Sequence, residues 1–210
     1  MHGTYALIPI KGFERGKSRL TPRLGASERS ALARSMFDHV LGLCLSSPRL
    51  AGTLVATDSP EIARLASARG ALALADPPAA AEPRGARLAL VIDAGLAALR
   101  ERSAAAALVL MADLPRIGAA DVAELLQTLE GCDVVLASDS RGRCTNALGL
   151  RLGEATRFPT AFGDADSLVV HEQRARALGL CVRRCSNPRL AQDLDLPADL
   201  DVLVRSGEDG

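Results

Sequence analysis

The sequence predicts a three-layer α/β/α sandwich with a mainly parallel sheet, on three observations. Short apolar runs alternate with longer helical patterns along the whole chain. Ala106 to Ala112 is continuously apolar, as a central parallel strand covered on both faces must be. The residues best suited to chemistry follow strands rather than helices, and the carboxyl ends of strands are where open α/β sheets collect ligands.

Taken in order, Tyr5 to Ile10 reads as a buried strand, and residues 11–23 as a loop. Ser27 is placed to cap a helix from Glu28 to Leu45, with Leu32, Phe37, Val40 and Leu41 on its apolar face. Leu50 to Thr57 is a second strand, ending at Asp58. Pro60 opens a helix running through Arg69 that Gly70 closes. Ala71 to Ala75 is a short third strand, and residues 76–86, rich in proline, are expected to form a mobile flap. A helix over Arg87 to Arg102 leads to the strand Ala106 to Ala112, which ends in Asp113-Leu114-Pro115. A helix over Ala119 to Glu130 precedes the strand Asp133 to Ala137. The polar segment Ser138 to Asn146 then passes into the strand Ala147 to Leu152. Phe158 to Ser167 reads as a loop, and His171 lies early in a helix ending near Gly179. Leu180 to Cys185 is the last strand, and Pro197 opens a terminal helix. One domain over residues 1–205 is expected, with 206–210 as a frayed tail.

The first loop is chemically the most pointed stretch. It carries Lys11, Arg15, Lys17, Arg19 and Arg23 against one acid, Glu14, in a chain of net charge zero. Such local crowding asks for an anionic partner, and a glycine-bearing loop after a strand suits a phosphate. Gly16-Lys17-Ser18 superficially suggests a P-loop. That motif needs four residues between its glycines, and only three separate Gly12 from Gly16. Pro22 also interrupts the helix that would have to follow. The bland alternative is a solvated basic surface.

Composition narrows the rest. With 48% hydrophobic and 24% charged residues the chain is an ordinary globular protein, and with no Trp its core must be built from Ala, Leu and Val. The apolar runs are too short for a signal peptide or a membrane span. Cys44, Cys132, Cys144, Cys181 and Cys185 show no Cys-x-x-Cys spacing and suggest a reducing, cytoplasmic setting rather than disulfides or zinc. Neutral charge and scarce aromatics argue against nucleic-acid binding.

Asp58, Asp113, Asp193 and Asp195 fall where the sheet's ligands would gather. A carboxylate ending the most apolar strand, Asp113, is costly unless paired, and a magnesium ion is a natural partner. Asp193-Leu194-Asp195 puts two carboxylates on one face of an extended segment. The bland alternatives are turn and cap roles beside Pro115 and Pro197. Thr145 and Asn146 offer hydroxyl and amide groups, and the loop Phe162-Gly163 to Ser167 leads into a helix N-terminus ahead of His171. A lone histidine in that position is more often structural than catalytic.

The order of these motifs resembles the 2-phospho-L-lactate and phosphoenolpyruvate guanylyltransferase family of coenzyme F420 biosynthesis. The matching stretches are Ile8-Pro9-Ile10-Lys11 with Lys17-Ser18-Arg19-Leu20, Glu28-Arg29, Ala112-Asp113-Leu114-Pro115, Thr145-Asn146-Ala147-Leu148, Phe162-Gly163 to Ser167 with His171, and Asp193-Leu194-Asp195-Leu196-Pro197. The resemblance implies a nucleotide-diphospho-sugar-transferase-like, Rossmann-like fold. It also implies transfer of GMP from GTP to a three-carbon phospho-acid, with release of pyrophosphate. Lys11, Gly12, Lys17, Arg19 and Asp58 would bind the nucleotide, with Lys17, Arg19 and Asp113 catalytic. Thr145, Asn146, Gly163, Ser167 and His171 would bind the acceptor, while Asp113, Asp193 and Asp195 hold Mg2+. GTP, a small phospho-acid and a downstream transferase taking the guanylylated product are the expected partners. Three departures stand out: Cys144 and Asp166 where the family usually has Gly, and Ala86 to Ala94 in place of a Gly-Leu-Asn segment. The rival readings are another nucleotidyltransferase of this fold, making a sugar nucleotide or a molybdopterin dinucleotide, and a catalytically silent nucleotide-binding protein.

Overall fold

The computed structural model describes residues 3–78 and 86–201. One seven-stranded sheet runs through them in the order β3-β2-β1-β4-β6-β5-β7. Its strands are β1 (Thr4–Pro9), β2 (Gly52–Thr57), β3 (Leu72–Ala75), β4 (Ala106–Leu110), β5 (Val134–Ser138), β6 (Thr145–Arg151) and β7 (Val182–Cys185). The helices are α1 (Ala26–Ser46), α2 (Pro60–Ala68), α3 (Ala86–Glu101), α4 (Ala119–Glu130) and α5 (Ser167–Ala177). Residues 197–201 are helical as well, so Pro197 does open a terminal helix. The expected flap at 76–86 falls largely, and the expected tail wholly, outside the described residues.

Strand alternation sorts the core into two layers. Ala6, Ile8, Val55, Leu108, Leu110, Val135 and Ala137 face α1, α2 and α4 through Phe37, Leu41, Ile62, Leu125 and Leu129. The intervening Tyr5, Leu7, Leu54, Ala56, Ala107, Val109, Val134 and Leu136 face α3 and α5 through Ile92, Leu96, Leu99, Leu168 and Ala175. A period of two in every central strand, buried on both faces, gives the three-layer sandwich. Close approach is built in at Gly95 of α3, where a Cβ would lie 2.7 Å from Leu7 Cδ1 of β1.

β6 is the one antiparallel strand among those described, paired with β4 on one side and β5 on the other. Its reversal brings its first residues, Thr145 and Asn146, to the edge where β1 and β4 end. Those two residues belong to the strand, which therefore begins before the expected Ala147. The helix α1 also starts earlier than expected. Gly25 occupies its N-cap, and its backbone N–H donates to Glu28 Oε2 at 2.7 Å, leaving Ser27 inside the first turn.

Candidate active site

The basic loop is not free coil. It contains two turns of 3-10 helix, Phe13–Arg15 and Ser18–Leu20, and between them Lys17 takes a left-handed backbone conformation (φ 55, ψ 34). Apolar side chains fix its position. Leu20 packs with Leu194 and Met36 in a small cluster completed by Leu24, Leu32 and Leu200, pinning loop and acidic segment to the same face of α1. The acidic segment is held a second time by a backbone bond, Leu194 N–H to Asp113 carbonyl at 3.1 Å. Burying Leu194 thus places Asp193 and Asp195 on either side of it, next to Asp113.

Lys17 ends up between two of these acids. Its ammonium donates to Asp113 Oδ2 at 2.6 Å and to Asp195 Oδ1 at 2.9 Å, with only 8% of the side chain exposed. Burial alone would lower the pKa of this ammonium, but the two carboxylates outweigh it and hold the group above its ordinary value. Burial pushes Asp195 up while Lys17, then Arg19 and Lys11, bring it net below the usual carboxylate range. Arg19 is largely exposed and reaches Asp195 Oδ2 at 3.4 Å. Asp193 goes the other way. Burial raises it, Asn146 partly offsets this by donating from Nδ2 at 3.2 Å, and the charges of Asp113 and Asp195 raise it further.

No group of three or more His, Cys, Asp and Glu side chains among the described residues is arranged to hold a metal ion. The expected trio is instead shared out: Asp113 and Asp195 to Lys17, Asp193 to Asn146. Its chemistry still suits magnesium. That hard cation takes one or two carboxylates and fills its shell with water and phosphate oxygens, and Asp193's crowding by like charge is what a nearby cation relieves.

A cavity of about 450 Å3 opens beside this cluster, of the size that small-molecule sites usually have. Lys11, Gly16, Lys17, Asp113, Gly163 and Asp195 line it, together with Met111, Ala112 and the ends of β1. Lys11 is exposed and makes no hydrogen bond or ion pair among the described residues. Gly12 and Asp58, expected to touch the nucleotide, are engaged with each other. Asp58 Oδ1 accepts from Gly12 N–H at 3.2 Å and the carboxylate also pairs with Arg15, which makes Asp58 an anchor for the loop.

Thr145, Ser167 and His171, expected to bind an acceptor, turn inward and bond to one another. Ser167 Oγ accepts from Thr145 N–H at 3.0 Å. His171 is fully buried: Nε2 accepts from Ala161 N–H at 2.7 Å and Nδ1 lies 3.0 Å from Thr145 Oγ1. An acceptor Nε2 puts the proton on Nδ1, so this ring is neutral, and burial lowers its pKa to about 4. The network sets the Phe162-Gly163 turn against the start of β6. Asn146 Nδ2 donates to Leu190 carbonyl as well as to Asp193. Asp166 is not among the residues lining the cavity; it is exposed and paired with Arg143 at 2.8 Å.

Asp76 and Arg87 also line the cavity, and neither was among the expected residues. The signal was available: Asp76 follows β3 as Asp58 follows β2, and the rule that finds Asp58 finds it too.

Set against known proteins, residues 4–210 match the family described as "Guanylyl transferase CofC like". The chain belongs to that family. A phosphoenolpyruvate guanylyltransferase of Sphaerobacter thermophilus is 35% identical to it, over 96% of this chain and 92% of the relative. A 2-phospho-L-lactate guanylyltransferase of Methanothermobacter thermautotrophicus is 31% identical over 98% and 86%, and a 3-phospho-D-glycerate guanylyltransferase of Phenylobacterium zucineum 36% over 95% and 89%. Members of this guanylyl transferase family are nucleotidyltransferases, and the chain is accordingly an enzyme of that class. The fold has the same kinship. A nucleotide-diphospho-sugar-transferase-like structure from Desulfovibrio desulfuricans G20 superposes with a TM-score of 0.77, at 17% identity, over 100% of this chain and 90% of that one. Among the described residues no helix is long and apolar enough to cross a membrane.

Proposed function

We propose that this chain transfers GMP from GTP to a three-carbon phospho-acid. The observation that carries the reading is the meeting of Lys11 and Lys17 with Asp113 and Asp195 at a nucleotide-sized cavity, in a family named for guanylyl transfer. A phosphate oxygen of the acceptor attacks the α-phosphorus of GTP. One P–O bond forms there, the bond to the β-phosphate oxygen breaks, and pyrophosphate departs with the electron pair. The nucleophile is already anionic, so no general base is needed, which agrees with a site whose histidine is buried and neutral. Lys11 and Lys17 hold the phosphates and offset the charge growing on the leaving group. Asp113 and Asp195, with Asp193 behind them, would hold magnesium, which when bound neutralises phosphate charge and aligns the two substrates.

For the acceptor we infer a three-carbon acid phosphorylated at C2, phosphoenolpyruvate or 2-phospho-L-lactate. An Asp166 facing the acceptor would have repelled a second carboxylate and favoured the hydroxyl of 3-phosphoglycerate. Paired to Arg143 in solvent, it does neither. Gly163, lining the cavity with φ +91, leaves backbone room for a compact ligand. We place the product in cytoplasmic coenzyme F420 biosynthesis, taken up by a downstream transferase. The test is pyrophosphate release and product mass with GTP, Mg2+ and each of the three acids. Turnover with a sugar phosphate and none of these acids would overturn the reading.

A further inference from the structure

Asp76 carries a charge that nothing described in the fold fully uses. It stands immediately after β3, its side chain is 10% exposed, and it lines the cavity. Its Oδ2 faces Arg87 Nη2 at 3.7 Å, beyond hydrogen-bond reach. Arg87 spends its donors elsewhere, on the carbonyls of Pro77 at 2.5 Å and Pro78 at 3.2 Å. Oδ1 is buried with no hydrogen-bond partner among the described residues. An orphaned buried carboxylate oxygen is costly, and native folds keep one where something arrives to satisfy it.

What arrives is indicated by the surroundings. Leu88 and Val91 of α3 line the same cavity, an apolar surface suited to a flat ring. Lys11 and Lys17 both follow β1, and the Lys17 ammonium reaches across to Asp113, beyond the end of β4. In the order β3-β2-β1-β4 the ends of β3 and β4 are three strand spacings apart, roughly 14 Å. That is the scale of a purine nucleotide stretched from base edge to phosphates. An ionised carboxylate only accepts hydrogen bonds. Guanine presents two adjacent donors on its Watson–Crick edge, N1–H and the 2-amino group. Adenine and cytosine place a ring acceptor beside their amino group, and uracil flanks its one donor with carbonyls.

We propose that Asp76 is the base-reading residue of this site, its free Oδ1 and neighbouring Oδ2 accepting N1–H and the 2-amino group of guanine. The assignment rests on the GTP reading above and adds the group that makes the enzyme prefer that base. Specificity of this kind arises because the wrong base leaves the buried acceptor unpaired.

The decisive experiment compares wild type and Asp76→Asn for pyrophosphate release from GTP, ITP, ATP and XTP, with Mg2+ and phosphoenolpyruvate. Asparagine keeps one acceptor for N1–H and gains a donor for the 2-carbonyl of xanthine. The variant is expected to lose roughly 10- to 100-fold in kcat/KM with GTP, mostly through KM, and to gain by a similar factor with XTP. A residue that merely supported the fold would lose both. Wild type itself is expected to use ITP, which lacks the 2-amino group, about tenfold less well than GTP, a comparison that needs no variant to fold. A GTP-to-XTP ratio unchanged in Asp76→Asn, or ITP used by wild type as well as GTP, would overturn the assignment of Asp76 alone. A wild-type enzyme releasing no pyrophosphate from GTP with any of the three acids would remove guanylyl transfer itself, and this inference with it.

Discussion

Replacing Lys17 by Ala removes a buried ammonium from between two acids, and the structure allows the cost to be worked out. At contacts of 2.6 and 2.9 Å and an effective dielectric of about 20, each attraction is about 6 kcal/mol. Most of this is offset. Burying the ammonium costs several kcal/mol, and Asp195, 41% exposed, is screened by water. A net loss of about 2 kcal/mol of fold stability remains. Catalysis loses more, because a preorganised cation facing the leaving group is typically worth 10²–10³ in rate, about 3–4 kcal/mol. Lys17→Gly separates two contributions. At φ 55 an Ala side chain strains the backbone by about 1 kcal/mol where Gly does not, so Lys17→Gly is expected to match the alanine variant in activity and exceed it in stability by that amount. The pH dependence follows from the signs. Lys17 has a raised pKa, so its contribution is complete below the ordinary 10.5 and fades as pH rises through the raised value. Asp195 has a lowered one, so its contribution is complete above 3.8 and fades as pH falls through the lowered value. The stability gap between wild type and Lys17→Ala therefore spans the range between and closes only outside it. Pyrophosphate-release kinetics and urea unfolding across pH measure all of this. A Lys17→Ala enzyme within threefold of wild type in kcat/KM would refute the role in phosphate binding.

Asp193→Asn combined with Asp195→Asn is expected to leave a folded protein by circular dichroism and to abolish magnesium-dependent turnover; a folded double variant that still turns over would exclude these acids from metal binding. Asp193→Asn alone is expected to stabilise the fold at neutral pH, because this raised carboxyl is unfavourable once pH exceeds its folded pKa, and thermal melts of the two proteins at pH 4 and 7 check the sign. His171, lowered to about 4 from 6.5, binds protons more readily when unfolded; stability is expected to fall by about 3 kcal/mol as pH drops through that window, and His171→Gln to flatten this slope in denaturant titrations. Gly95→Ala sets a helix-propensity gain of about 1 kcal/mol against overpacking on Leu7 worth 1–3, and a net loss of about 1 kcal/mol in urea unfolding is expected.

How far periodicity carries, and where it stops, is clearest at β4 and β6. A strand buried on both faces has no freedom to be polar, so Ala106 to Leu110 announces itself, and Asp113 beyond it with it. The start of β6 does not, because Thr145 and Asn146 are polar residues buried by partners distant in sequence: Ser167 and His171 for one, Leu190 and Asp193 for the other. Nor does composition reveal that β6 runs backwards, since strand direction depends on which neighbours it joins. The candidate site divides the same way. Residue types and their places at strand ends locate Lys11, Lys17, Asp113 and Asp195 at one cavity. Their division of labour depends on contacts spanning 96 and 178 residues, through which Lys17 clasps Asp113 and Asp195. Local pattern cannot weigh such contacts, and it therefore assigns Asp113, Asp193 and Asp195 to a metal and Asp58, Thr145, Ser167 and His171 to ligands. The fold instead assigns Asp58 to the loop and His171 to the turn before α5. Among the acids that follow strands, Asp76 is the one left with a buried oxygen and no described hydrogen-bond partner. An acid that the fold leaves unsatisfied has a stronger physical claim on the nucleotide than Asp58, whose oxygens the loop already occupies.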